Sequence, residues 1–407
     1  MAIQRTTTSI ASLQDKAEDL SIAAELKFLI PFLPCKGKPA RIHDGPQLEV
    51  VDYIERATQL DDAYDKLKLW QQTFSNVAAA IRNVLKQQAI TSYDLDAMNQ
   101  QERDCWLSYW VVKRSMSAEP AKDHPHRADW IWVPVEVNSP RLSWRDPTTI
   151  AVLRSVMDAI KSRYYIVSNY TCEVHVHAGR MDGRPFTLPT LKKLAILCWA
   201  AEPVLRKVKD PRSPNHAHVY TWSNSTREYS RLAAELKSEK VVHMPLLQDL
   251  VGLPEAFKWV LKDPSTITNS DMEASRLIAA TRSHTQLGRL MSGEGRPYRR
   301  LGFNFSAFGG EDERARTNPR TVECRFLEGT IDTDVVVSWV QIFGKMVEAA
   351  LDGAADGDRF TRLATHRSRG QGKADLLDYG LVRLMQRLGI REEVYRPIKM
   401  MIRGVQG

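Results

Sequence analysis

Apolar side chains return at steps of three and four residues from residue 48 to about residue 88, where Val51, Ile54, Leu60, Leu67, Trp70, Phe74, Val77, Ile81 and Val84 share one stripe. That period predicts packing helices. It recurs over 93–114, 148–161, 189–208 with a kink at Pro203, 226–236, 333–351 and 375–388, the last closed by Gly389. Five short segments alternate with period two instead, which predicts strands. In 25–32, Leu26, Phe28 and Ile30 oppose Glu25 and Lys27; in 129–140, Ile131, Val133, Val135 and Val137 oppose Glu136. In 172–179, Val174 and Val176 oppose Glu173, His175 and His177. In 301–308, Phe303 and Phe305 oppose Asn304 and Ser306, and in 321–330, Val322, Cys324 and Phe326 oppose Glu323 and Arg325.

A sheet with one face on helices and the other in water normally carries Thr, Ser, Lys and Gln on the wet side. Here that side reads Glu, Glu, His, His, Asn, Glu and Arg. Carboxylates and imidazoles suit a divalent cation, and a guanidinium fork suits phosphate oxygens. A solvated face laced with ion pairs explains any single strand as well, but agreement over five strands favours a site.

The constellations differ in specificity. His175 and His177 stand about 7 Å apart along a strand at ~3.4 Å per residue, close enough for one to bind metal and the other to orient substrate, although a surface pair reads the same way. His124 and His126 sit beside Pro125 in a loop and read as surface residues. Glu323 and Arg325, two apart on one face, either serve separate ligands or form an ion pair within the strand. Gly329 and Thr330 then end that strand in a turn. Neither a Walker-type loop nor a dinucleotide-type glycine motif is present, so a nucleotide would be held by other means. The stretch 292–300, with Arg296, Arg299 and Arg300, is a candidate phosphate or carboxylate clamp, or simply a mobile basic loop.

Composition narrows the classes. Among 407 residues 43% are hydrophobic and 26% charged, which excludes disorder, and no repeat between 20 and 50 residues points to a solenoid or propeller. The five cysteines (Cys35, Cys105, Cys172, Cys198, Cys324) are an odd number without a C-x-x-C pair, so neither a disulfide framework nor a zinc site is expected. The longest clean apolar run, 194–201, is far short of a membrane span. A cytoplasmic protein without membrane contact is expected. The net charge of +8 suits solubility or an anionic substrate, and no nucleic-acid-binding motif accompanies it.

The segments VEVNSP, EVHVHAG, GFNFSAF and TVECRFLEGT, followed by Trp339, resemble in order and spacing the amidoligase family, relatives of glutamine synthetase and glutamate-cysteine ligase. The resemblance spans about residues 20–351 and is most specific at 175–179 and 321–330. It implies an α+β, glutamine-synthetase-like catalytic domain, with an antiparallel sheet whose polar face is catalytic and whose other face is backed by helices. The implied division is a flexible 1–20, a catalytic 21–351 and a linker with a helical appendage over 352–407. The implied reaction is ligation: ATP phosphorylates a carboxylate, and ammonia or an amine attacks the acyl phosphate, with Mg2+ or Mn2+ as the cation.

Carried over by position, Glu25, His175 and Glu323 match residues that bind one metal, Glu136 a residue for another, and Arg325 the phosphate-contacting arginine. Asn304 and His177 fall where the family organises substrate or loops, and Arg296 and Arg299 are the further nucleotide-binding candidates. The family usually has a second acidic residue on the first strand. Lys27 stands there instead, so one expected metal is lost or replaced by the lysine charge, and Lys27 joins Arg325 and His177 as a catalytic candidate. Glu173, where the family tends to have Gly, points with the histidines and is a substitute ligand. Two other readings stay open: a degenerate member that binds nucleotide or carboxylate without turnover, favoured by Lys27, and an unrelated α+β nucleic-acid-binding protein.

Overall fold

The alternating segments pair into one sheet, and the helical stripes pack against one of its faces. The computed structural model describes residues 15–33, 63–86, 88–97, 106–213, 224–237, 269–295, 301–309, 320–351 and 375–406. The strands are β1 (Leu20–Phe32), β2 (Ala89–Thr91), β3 (Trp110–Arg114), β4 (Ile131–Asn138), β5 (Leu142–Ser143), β6 (Val174–Arg180), β7 (Phe303–Asn304) and β8 (Val322–Leu327). Their order is β2-β3-β4-β1-β6-β8-β7, with β5 also pairing β1. Only β2 and β3 run parallel among these pairs; the others are antiparallel. The molecule is therefore α+β with a mostly antiparallel open sheet.

The longest strand, β1, lies at the centre, between β4 and β6. Its residues Leu20, Ile22, Ala24, Leu26, Phe28 and Ile30 are buried in one core with Val133, Val135, Val137, Val174, Val176, Val322 and Cys324. Helices α1 (Ala63–Leu85), α2 (Thr149–Arg163), α3 (Leu188–Leu205) and α6 (Thr333–Leu351) add Phe74, Ile81, Val156, Leu194, Leu197, Trp339, Phe343 and Val347 to that core. Between α3 and α6 the chain adds α4 (Asn269–Ala280) and α5 (His284–Leu290). At the C-terminal end, α7 (Asp375–Arg387) and α8 (Glu392–Gln406) bury Leu381, Met385, Tyr395, Ile398 and Ile402 in the same core. Gly389 follows α7 with φ 68°, the left-handed value expected of a residue closing a helix.

Three expectations are corrected. Among the described residues the helix predicted over 93–114 is reduced to Ser92–Ala97 and a 3-10 turn at Trp106–Ser108, and its end is the strand β3. There Trp110 and Val112 face the core while Val111 and Lys113 face the other way, so pairing with β4 prevails over a helical period that these residues satisfy equally well. The strand predicted over 301–308 is only two residues long, because Asn304 Oδ1 accepts from Ser306 N at 2.9 Å and turns the chain into the helical turn Ser306–Gly309. The polar face is not a wet one. Lys27, Glu136, Glu173, His175, Asn304, Glu323 and Arg325 are all buried. The early helical stripe at 48–62, the basic clamp 296–300 and residues 352–374 of the expected linker and appendage lie outside the described residues.

Candidate functional site

Strand register brings the polar residues together. Glu25 stands opposite His175, Lys27 opposite Glu136, His177 opposite Glu323, and Asn304 also opposite Glu323. Between the pairs Val174/Leu327 and Val176/Cys324 the register shifts, and β8 carries one residue more than β6. His175 therefore faces a bulge formed by Arg325 and Phe326. A bulge re-aims a side chain, and here it lets Arg325 lean over His175 while Phe326 packs edge-on against Phe303, ring centroids 5.0 Å apart.

His175 is the hub. Its Nδ1 lies 2.8 Å from Glu25 Oε2 and 3.1 Å from Glu323 Oε1, and its Nε2 lies 2.9 Å from Glu173 Oε2. Both ring nitrogens face carboxylate oxygens, which favours the protonated ring against the two cations that also approach it. Two further cations share the same space. Lys27 Nζ is 3.1 Å from His175 Nδ1 and 3.8 Å from Glu25 Oε2. Arg325 donates to Glu323 and lies 3.6 Å from Glu173 Oε2. Three carboxylates thus meet three cations, which is how buried charge is tolerated. The ion pair within the strand, one of the two readings of Glu323 and Arg325, is present.

The electrostatics follow from that packing. Burial pushes Glu25 upward, but hydrogen bonds and charge from His175 and His177 hold it well below the ordinary 4.5. Burial also opposes ionisation of Glu323, and Arg325 with the two histidines holds it well below 4.5. Glu173 is likewise lowered against burial, by His175 and by the charges of Arg325 and Lys209. Burial, Arg325 and Lys27 push His175 down, yet its bonds to Glu173 and Glu25 prevail and raise it from 6.5 to about 8.

Toward the edge of this cluster the chemistry changes. The side chains of Glu25 and His177 are 22% and 23% exposed, against 1% for His175. His177 Nε2 lies 3.1 Å from Glu25 Oε1 and 3.7 Å from Glu323 Oε1, and Nδ1 is 3.1 Å from Thr321 Oγ1. One ligand atom from each of Glu25, His177 and Glu323 fits within 4.8 Å, a donor set suited to a divalent cation. The contact of Thr321 Oγ1 with Nδ1 orients the ring so that Nε2 is directed at the two carboxylates. Asn304 Nδ2 donates to Glu323 Oε2 at 2.6 Å, while Oε1 accepts from Arg325 and lies 3.1 Å from His175 Nδ1 and 3.7 Å from His177 Nε2.

The remaining candidates are placed as follows. Glu136 is a strand away on the far side of Lys27, with its carboxylate 3.0 Å from Lys113 Nζ. Glu173 points with the histidines, on the inner side of His175. His124 and His126 lie in the loop before β4, where His126 stacks on Trp130 and His124 meets Trp132 edge-on. Arg296 and Arg299 lie outside the described residues. Sequence reasoning did not single out Thr321, Lys113 or Lys209. Thr321 was findable, two residues before Glu323 on the same face. Lys113 was hidden by the helical reading of its segment. Lys209, buried and with its ammonium disfavoured by that burial, carries no sequence signal of its own.

Cys172, Cys198 and Cys324 are free and buried. Among the described residues no helix is long and apolar enough to cross a membrane. No curated protein and no solved structure matches the chain. Residues 67–247, a stretch that includes Glu136, Glu173, His175 and His177, match the family model described as "Putative amidoligase enzyme", the family whose motifs this sequence resembles.

Proposed function

We propose that the chain is an ATP-dependent ligase that joins a carboxylate to ammonia or an amine through an acyl phosphate. The observation that carries this reading is the convergence of Glu25, His177 and Glu323 within 4.8 Å, backed by Lys27 and Arg325, in a chain matched over 67–247 by the amidoligase model. In such a ligation a carboxylate oxygen attacks the γ-phosphorus while its bond to the β,γ-bridging oxygen breaks and ADP leaves. The amine nitrogen then attacks the acyl carbon and loses a proton to solvent, and phosphate departs with the oxygen the acid supplied.

Glu25, His177 and Glu323 would hold a divalent cation, which supplies neutralisation between an anionic acid and a triphosphate. Arg325 and Lys27 stand behind those ligands as fixed positive charge, preorganised where negative charge develops. Glu173 holds His175, and His175 holds Glu25 and Glu323, so the exposed ligands are oriented by buried ones. Asn304 acts on Glu323 through its 2.6 Å hydrogen bond. Only Glu25 and His177 among the buried cluster and its edge are substantially exposed, so reacting groups meet the protein there and the inner residues exclude water.

The test is a panel of carboxylic acids and amines with ATP and Mg2+ or Mn2+, read as ADP release. An 18O-labelled acid is expected to pass one label to phosphate, and Glu25→Gln is expected to abolish turnover. Label transfer absent from a reaction that does release ADP would overturn the acyl-phosphate route. The degenerate-binder reading has one observation in its favour: Arg325 already bonds Glu323 and Lys27 already neighbours Glu25. It predicts nucleotide binding with no ADP release across the panel.

A further inference from the structure

Lys27 is in an unusual place for a lysine. Its side chain is 7% exposed, and it projects from the central strand onto the face that carries the carboxylates. Lys and other charged residues are almost never fully buried unless paired. Reading across the strands, the charged positions run Lys113, Glu136, Lys27, then Glu25 with His175, then Glu323 with Arg325. Glu136 is committed to Lys113 at 3.0 Å. The ammonium of Lys27 therefore faces the other way, 3.1 and 3.4 Å from the two ring nitrogens of His175 and 3.8 Å from Glu25 Oε2.

Two properties of that arrangement decide what the site holds. First, an ammonium donates hydrogen bonds and has no lone pair, so Lys27 cannot be a ligand; it can only supply charge. Second, the donor atoms that converge are those of Glu25, His177 and Glu323, on the outer side of His175, with Arg325 bonded to the Glu323 carboxylate. A second divalent ion on the inner side would need Glu25 Oε2, Glu136 or Glu173, and each lies next to a fixed cation: Lys27 for Glu25, Lys113 for Glu136 and Arg325 for Glu173. Like charges at such separation repel strongly where water is excluded.

We infer that Lys27 is a built-in cation occupying the place of a second divalent ion, so that the site binds one divalent ion per chain, at Glu25, His177 and Glu323. The inference rests on the reading of this cluster as a divalent-ion site and goes further in fixing how many ions it takes and why. Because the charge is covalently tethered, this half of the site stays neutralised whatever the metal concentration, and only the outer half responds to metal supply.

The experiment counts Mn2+ bound to the purified full chain, from the electron paramagnetic resonance signal of the free ion during titration, and needs no turnover. The wild type is expected to bind one ion and Lys27→Glu two. Two ions in the wild type, or one in a folded Lys27→Glu chain, overturn the inference while leaving the divalent-ion reading intact. No ion bound by the wild type overturns the divalent-ion reading itself, and the inference with it. Should Lys27→Glu fail to fold, Lys27→Met carries the test. Without the ammonium, Mn2+ is expected to bind at least threefold tighter or to take up a second ion, and an unchanged count with unchanged affinity overturns the inference.

Discussion

A buried imidazole held between carboxylates and two cations sets the behaviour of the individual residues. His175 is raised from 6.5 to about 8, so its contribution to stability is fully present below pH 6.5 and is lost as pH rises through about 8. Glu25, Glu173 and Glu323 are lowered from 4.5, so theirs is present above pH 4.5 and lost as pH falls. For metal-free protein in a chelator, the urea midpoint is therefore expected to be highest between about pH 4.5 and 6.5 as far as this cluster governs it. His175→Gln should remove the alkaline decline. Removing one partner of a buried pair leaves the other charge stranded, so Arg325→Met is expected to destabilise by about 3–5 kcal/mol in chemical denaturation. Glu25→Gln, at the exposed edge, should lose far less stability. Mn2+ affinity should show the opposite order, with the larger loss in Glu25→Gln. A stable Arg325→Met chain that has lost turnover would instead place Arg325 in direct contact with substrate.

At the scale of elements, the site depends on how β6 and β8 meet. The turn that presents Glu173 is packed against Gly329 just beyond β8, where an added Cβ would lie 2.2 Å from the carbonyl oxygens of both Asn169 and Cys172. Gly329→Ala must push that turn away, and overpacking of this kind costs about 1–3 kcal/mol. The expected result is a lowered denaturation midpoint together with weaker Mn2+ binding, since Glu173 orients His175 and His175 orients the ligands. An unchanged midpoint would mean that the turn moves freely. The strands that built the site were legible because Glu and His alternating with Val and Phe leave only one face for the charges. β3 was not legible, because Trp110, Val111 and Val112 form a short apolar run that suits either period. The β8 bulge was not legible either, since nothing in TVECRFLEGT marks the extra residue until β6 is laid beside it.

For the molecule as a whole, the helices that close the core come from both ends of the described chain. Ile398 of α8 is fully buried in the same apolar cluster as the sheet. Ile398→Ala is expected to destabilise by about 3 kcal/mol, read from the denaturation midpoint. A change below 0.5 kcal/mol, the range of an exposed position, would show that α8 is dispensable to the core. The family match ends at residue 247, so Glu323 and Arg325 on β8, like Glu25 and Lys27 on β1, lie beyond it. They join the matched histidines only through strand pairing.

The sequence by itself determined which residues share the polar face and that the face carries the charges a cation-and-phosphate site would use, because strand alternation is local and survives any packing. Tertiary structure alone decided that this face is buried, that His175 and His177 both meet Glu25 and Glu323 with His177 at the more exposed edge, and that Glu136 pairs with Lys113. Those outcomes depend on register between strands and on what covers the sheet. Both are set by contacts between residues far apart in the chain, which no periodicity along it encodes.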